Sequence, residues 1–377
     1  MNKFREATVS IAGMRFTLRG SLPLLEEFVC YSDEKSNGQI LCVSEALYDG
    51  TEKLITEHKE ISVYIRSDGS WLFVSSIFTD DVQVSLSADY KTVSLFIKKP
   101  EDRVSEQVLR NLLRTAFECI MIYNSRISLH SACIDVGGEA IAFTGVSGMG
   151  KSTRASAWIS ANNAEFISGD RPTLHLSSDG IIAYGVPWDG KEQIFRAVDR
   201  RLKAILDVRR SDTDYLRKLT PEQAQSVLMK QIFIPMWDTN AAVTAIINIR
   251  KLSKSVPVYR VFGGPDEKNA SNIRRILYEN PEEILEAAKD MKIKENFVLR
   301  NVADEYIVMP TGNNIAKFDG AVALNEVSAF IFEKLQNPMS KEDLVTALLN
   351  EYDVDAQTAA KDVDTLISKF EEMGIIE

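Results

Sequence analysis

Long apolar runs are missing from this sequence. No stretch approaches the roughly 18 apolar residues that a membrane helix needs, and the longest candidate, Ala116–Tyr123, has only the length of a core helix. No membrane partner is expected. The opening MNKFREATVS holds basic residues without an apolar core behind them, so a secretory signal is not expected either. Cysteine is scarce. Cys30, Cys42, Cys119 and Cys133 are the only four, they lack paired spacing, and their surroundings are apolar or strand-like. That excludes a zinc or disulfide framework and fits reduced core thiols in a cytoplasmic protein. Excess positive charge is missing as well. The net charge is −10, and residues 295–377 alone account for it with 16 acids against 6 bases. Such a segment repels a phosphate backbone, so nucleic acid is not its expected ligand. Internal repeats and low-complexity tracts are also absent.

What remains is 377 residues with 45% apolar and 26% charged side chains, a globular composition too long for one ordinary core. Residues 1–98 read as a β-rich domain. ISVYIRSDGSWLFVSSIF alternates on both sides of Ser67-Asp68-Gly69-Ser70, a hairpin signal, and VQVSLSADYKTVSLFIKK repeats it around Ala88–Lys91. After Pro100, the spacing of Val104, Val108, Leu112, Ala116 and Ile120 predicts a helix. Strands and helices then alternate through a second domain, residues 99–294, with a charged helical stretch over Pro281–Lys294. The third domain, residues 295–377, opens with FVLRNV and EYIVMP as paired strands around Ala303-Asp304. Helices follow over Asn325–Leu335, Lys341–Tyr352 and Ala356–Met373, with start signals at Ser340 and Asp355.

The chemistry-bearing motif is GVSGMGKS, followed by Thr153. A strand (Ala140–Thr144) precedes it and a helix follows, which completes the phosphate-loop pattern. Glycines let the backbone N–H groups of Gly145, Val146, Ser147, Gly148, Met149, Gly150, Lys151, Ser152 and Thr153 turn toward phosphate oxygens, and the helix start adds its positive dipole end. Lys151 supplies a charge for the β and γ phosphates, and Ser152 a hydroxyl for Mg²⁺. Asp170 ends the apolar strand AEFISGD after a single intervening helix, and no Asn-Lys-x-Asp base-reading motif is present. His130 is expected on the strand that enters the motif.

LHSACIDVGGEAIAFTGVSGMGKST with FISGD resembles the HPr serine kinase and phosphoenolpyruvate carboxykinase group over roughly residues 125–275. YGVPW and LTPEQAQSVLMKQIFIPMWD look like the branch of that family found with ribosomally made peptide products. The resemblance implies an α/β phosphate-loop kinase core using ATP or GTP with Mg²⁺. It also implies His130 as a donor to phosphate or to Asp170, and Asp170 as metal ligand, general base or both. The family carries two adjacent acids where this chain has Gly169 and Asp170, and Asp189 in the PWDGK turn is the candidate for the missing carboxylate. Trp188 reads as a packed aromatic. The basic segment Arg196–Lys218 reads as a charged helix face, unless one arginine stabilises phosphoryl charge.

The last 80 or so residues resemble the PqqD-like RiPP recognition element, a winged-helix module that captures leader peptides. The carrying features are Leu324-Asn325 opening the first helix, the Asp-Val-Asp run before the last one, and the terminal Gly-Ile-Ile. The resemblance implies a leader strand added beside the sheet, near Tyr306, Val308 and the face formed by Asp362, Thr365 and Lys369. The expected function is phosphorylation of a hydroxyl, serine first, on a leader-bearing precursor peptide. A non-catalytic nucleotide switch and a kinase of a small metabolite such as free serine are the alternatives. Homo-oligomer formation is left open.

Overall fold

The computed structural model describes residues 6–30, 35–58, 61–75, 81–99, 103–146, 148–188, 194–209, 211, 214–286, 291–295, 297–302, 305–311 and 322–376. The fold is mixed α/β with a β-rich N-terminal region, and it divides into two compact units, Met1–Glu286 and Ala287–Glu377.

The first unit opens with eight strands: β1 (Glu6–Ile11), β2 (Met14–Arg19), β3 (Gly38–Cys42), β4 (Lys53–His58), β5 (Ile61–Ile65), β6 (Trp71–Ser75), β7 (Val82–Leu86) and β8 (Thr92–Ile97). They form one sheet in the order β1-β2-β3-β8-β7-β6-β5-β4. Both hairpins read from the sequence are there, β5 with β6 and β7 with β8. The helix after Pro100 is α1 (Arg103–Tyr123). Its apolar face, including Leu109, Leu112, Leu113, Ala116, Phe117 and Ile120, closes the core beneath this sheet.

A second sheet follows, built from β9 (Arg126–Ser128), β10 (Ser131–Val136), β11 (Glu139–Thr144), β12 (Glu165–Ser168), β13 (Thr173–Ser177), β14 (Gly180–Tyr184), β15 (Asp199–Val208), β16 (Tyr215–Lys218), β17 (Val258–Phe262) and β18 (Leu285–Glu286). The path runs β12-β10-β11-β15-β14-β13-β9. The ten residues of β15 are shared: the first part pairs with β14, and the second pairs in parallel with β17. The helices of this half are α2 (Lys151–Asn162), α3 (Pro221–Met229), α4 (Thr239–Ser255) and α5 (Glu267–Tyr278). α2 and α5 pack together with β10, β11, β15 and β17 in one core, where Phe143 meets Trp158 edge-on at 5.4 Å. α1 and α4 meet over β9.

Two expectations are corrected here. Arg196–Lys218 is not a helix face, because Asp199–Val208 and Tyr215–Lys218 are strands, and Arg196, Arg200 and Lys203 meet acids of the same sheet. Among the described residues of Pro281–Lys294 there is no α-helix: a three-residue 3-10 turn at Pro281–Glu283 gives way to β18, which pairs with β16.

The second unit holds β19 (Phe297–Val302), β20 (Glu305–Pro310) and β21 (Val322–Leu324) in that order across an antiparallel sheet. Helices α6 (Glu326–Lys334), α7 (Lys341–Glu351) and α8 (Ala356–Glu372) complete it. Asn325, Ser340 and Asp355 cap the three helix starts through their side chains, each satisfying amides that the helix leaves open. The turn at Ala303-Asp304 lies outside the described residues. Among the described residues no helix is long and apolar enough to cross a membrane.

Aromatic packing ties the N-terminal sheet to the second one. Trp188 is buried and stacks on Phe117 at 4.7 Å, while Phe117 meets Phe16 edge-on at 5.2 Å. Trp188 is therefore a core aromatic, as the sequence suggests. Trp188→Ala empties this junction and is expected to cost about 3–5 kcal/mol, read as a lowered urea midpoint. An unchanged midpoint would mean that the stack does not hold the junction.

Candidate functional site

The site is assembled by a tight turn. Gly137 and Gly138 both take positive φ, which lets β10 reverse directly into β11. The resulting register sets Ser131 opposite Thr144, the last residue before the glycine loop. The Ser131 N–H donates to the Asp170 carbonyl at 2.7 Å, so the backbone of Asp170 lies level with the loop entrance. Thr144 Oγ1 donates to the His130 carbonyl at 3.0 Å, fixing the other neighbour.

His130 is displaced from the position expected of it. It stands in a bend between β9 and β10 and not within a strand, because Leu129 N–H turns to Pro172 O (3.2 Å) and His130 N–H to Gln231 O (2.8 Å). The bend brings His130 Nε2 to 3.3 Å from Asp170 Oδ1. Gln231, which sequence reasoning missed, also hydrogen-bonds the imidazole through its side chain. Burial, then Lys151, pushes the His130 imidazole below its ordinary value, with Asp170 pulling the other way.

The loop joins β11 to α2. Gly145, Gly148 and Gly150 all have positive φ. A Cβ on Gly145 would press to 3.3 Å from Val208 O, whereas one on Gly148 would meet nothing within 4 Å. The loop is thus packed on its sheet side and open above. Gly150 caps α2 with no side-chain bond, leaving the helix start to face outward with backbone donors. Lys151 Nζ donates to Gly145 O at 3.1 Å, and burial lowers the ammonium from its usual value. Ser152 and Thr153 are exposed at the first turn, Val146 is exposed, and Met149 leans on the core below. Arg154, almost fully buried, anchors α2 by donating to Gly263 O (2.7 Å) and to Asn269. Ser147 and Asp189 lie outside the described residues.

An open, donor-lined loop with a half-buried ammonium fits an anionic oxygen cluster. Among the described residues, Ser152 offers an exposed hydroxyl and Asp170 a carboxylate beside it, while the Asp207 carboxylate next to Gly145 is held by Arg209 and Arg260. Among the described residues no three His, Cys, Asp or Glu gather as a metal cage. Two protein oxygens suit a Mg²⁺ that keeps waters and shares phosphate oxygens.

The basic segment sorts by register. Arg201 faces Glu139 and Asp207 faces Thr144, so Arg200–Lys203 sit at the end of β11 remote from the loop, about 15 Å away at strand rise. There Arg200 pairs with Asp135 (2.6 Å) and Lys203 with Glu139 (3.4 Å), while Arg196, before β15, pairs with Glu165 of β12. Arg209 is different: it stands beyond the loop end of β15 and holds Asp207 at 2.8 Å. Asp207 is buried and also meets buried Arg260 at 3.3 Å. Neither Asp207 nor Arg260 was marked by any local pattern; they are 53 residues apart.

In the second unit, Asp362, Thr365 and Lys369 are all exposed along one stripe of α8. Tyr306 is half-buried on β20. Val308 is corrected: it is fully buried on the central strand, so its side chain packs the core and is not open to a peptide.

The family model for Coenzyme PQQ synthesis protein D (PqqD) matches residues 305–376. No curated protein matches the chain. Among solved structures, the chain is similar to TbiB1 in complex with the TbiA(beta) leader peptide, at 22% identity and TM-score 0.20, over 23% of this chain and 94% of that one. It is similar to a lasso peptide synthetase B1 complexed with the leader peptide, at 19% identity and TM-score 0.20, over 23% and 98%. A further likeness is to the Hpr(Ser) kinase/phosphatase from Coxiella burnetii, at 11% identity and TM-score 0.24, over 41% and 90%. At these scores the structural likenesses carry no weight of their own.

The depressed His130 value has a consequence for stability. The unfolded imidazole titrates near about 6.5, and the folded one binds its proton less readily. Acidification from neutrality therefore favours the unfolded chain through this group, and its contribution is lost as pH falls through that range. His175, lowered by burial and by Arg126 and Lys251, acts in the same direction. Urea midpoints are expected to fall between pH 7 and pH 5.5, and less steeply in His130→Gln. Equal slopes in the two proteins would contradict the assignment.

Proposed function

We propose that the chain is a nucleotide-dependent phosphotransferase acting on a hydroxyl, serine first, of a leader-bearing precursor peptide. Residues 305–376 hold the leader. The observation that carries the reading is a conjunction: an open glycine loop with Lys151 and an Asp170–His130 pair at its mouth, on a chain whose C-terminal segment matches the PqqD family.

Bound Mg²⁺–nucleotide, ATP in the first instance, supplies the phosphoryl group. The loop amides and Lys151 hold the phosphate oxygens, and Lys151 stabilises the charge that grows on them during transfer. Ser152 and Asp170 are the oxygens available to the metal. Asp170 also faces the loop mouth as the group that accepts the hydroxyl proton, with His130 orienting its carboxylate at 3.3 Å. Arg209, held at the loop end of β15, is the member of the basic segment placed to meet phosphoryl charge. In the second unit, β21 is an outer strand of its sheet, so a leader can add beside it by backbone pairing. The exposed stripe of Asp362, Thr365 and Lys369 offers polar contacts to the same peptide. One observation favours a second reading: Gly169 leaves a single carboxylate at Asp170, which also suits a nucleotide switch that gates peptide handover without transfer.

Transfer of radiolabel from ATP to a leader-bearing precursor peptide separates the two. Lys151→Ala is expected to abolish transfer in a folded protein, and Asp170→Asn to reduce it by roughly a hundredfold or more. Full turnover in Lys151→Ala would remove the kinase reading.

Fluorescence anisotropy of the full chain with labelled leader, and separately with labelled duplex DNA at physiological salt, tests the second unit. Leader binding without DNA binding is expected. Equal transfer to a leaderless acceptor, or to free serine, would point instead to a small-metabolite kinase.

A further inference from the structure

One buried charge beside the site has no part in the chemistry above. Glu118, on α1, is only 3% exposed, and a carboxylate taken out of water needs a counter-charge. Arg171 provides it, with Nη1 at 3.7 Å from Glu118 Oε1. The same guanidinium reaches toward Asp170, with Nε at 3.8 Å from Oδ2. Neither approach closes to a hydrogen bond, and both Glu118 Oε1 and Arg171 Nε are buried without a hydrogen-bond partner among the described residues. Arg171 is therefore suspended between two carboxylates, one structural and one at the mouth of the glycine loop.

We propose that Glu118 is a positioning residue: it holds Arg171 back from Asp170, leaving the Asp170 carboxylate open to His130 and to the loop mouth. Without Glu118, the uncompensated guanidinium has one carboxylate left to close on. A direct Arg171–Asp170 pair would occupy the carboxylate oxygens that the site needs. The proposal rests on the kinase reading for the importance of Asp170. It also gives the N-terminal sheet a task. Phe117, next to Glu118, is clamped between Phe16 of β2 and Trp188, so that sheet fixes the turn of α1 from which Glu118 points.

A four-protein cycle tests it: wild type, Glu118→Gln, Arg171→Ala, and the double variant. Glu118→Gln keeps the side-chain volume. It is expected to lower kcat by roughly tenfold to a hundredfold while leaving the nucleotide KM within about twofold. Removing Arg171 as well should restore most of the lost kcat, since the group that closes on Asp170 is gone. Melting temperatures give a readout independent of activity. Arg171→Ala alone should melt lowest, because Glu118 is left buried and unpaired, and the double variant should recover. Additive melting shifts would overturn the proposal whatever the activity, as would a Glu118→Gln defect that survives loss of Arg171. A wild-type chain that transfers no phosphoryl group would instead remove the kinase reading, and the melting cycle would then decide the Glu118–Arg171 pairing alone.

Discussion

Everything at the glycine loop depends on one antiparallel register, Ser131 opposite Thr144. β10 has two partners, β11 on one side and β12 on the other. Because β12 lies beyond β10 and not beside β11, the acid following it could not reach the loop through sheet order alone. It arrives because β10 starts where β11 ends, and because Ser131 N–H takes the Asp170 carbonyl. A one-residue slip would turn each side chain of β10 to the other face and carry His130 away from Asp170. The two-glycine turn forbids that slip by allowing only a tight reversal.

The same sheet separates charges that do different work. At the far end of β11, Arg200 and Lys203 of β15 are held by acids of β10 and β11, Arg196 before β15 by one of β12, and these partly exposed pairs contribute little individually. At the loop end, Asp207 and Arg260 are buried together, and removing either would leave an uncompensated charge in the core. A buried acid next to the loop strand would ordinarily be a candidate for the metal. Its two guanidinium partners, Arg209 and Arg260, occupy it, which among the described residues leaves Asp170 as the carboxylate beside the loop entrance.

What the sequence made legible was what short-range physics decides. The hairpins around Asp68-Gly69 and Ala88–Lys91 and the helix starts at Ser340 and Asp355 each depend on residues within a few positions of one another. The glycine loop was legible for the same reason. The basic segment was misread because bases at Arg200 and Lys203 look like a solvated surface until the acids that meet them are known, and Asp135 and Glu139 lie more than 60 residues upstream. Charged residues over Pro281–Lys294 suggested a helix, yet Leu285 is recruited by the distant β16. Val308 was expected near the leader through the PqqD-like resemblance, which does not say which side chains of the central strand turn into the core. Glu118 and Arg171, 53 positions apart, leave no local trace at all.

Charge also bears on how the two units could divide labour. On the proposed reading, the first unit's loop takes anionic oxygens through its backbone amides and Lys151. The second carries nearly all of the chain's net −10, which disfavours nucleotide there and leaves peptide backbone and apolar side chains as the compatible partners. On the proposed reading, the acidic segment need add nothing to transition-state stabilisation. Its effect is concentration: a peptide held by its leader meets the loop at roughly millimolar effective concentration, without any new contact at the reacting hydroxyl. Selectivity among hydroxyls would then come from reach along the peptide and from the space around Asp170, and the loop itself could stay indifferent to the sequence it modifies.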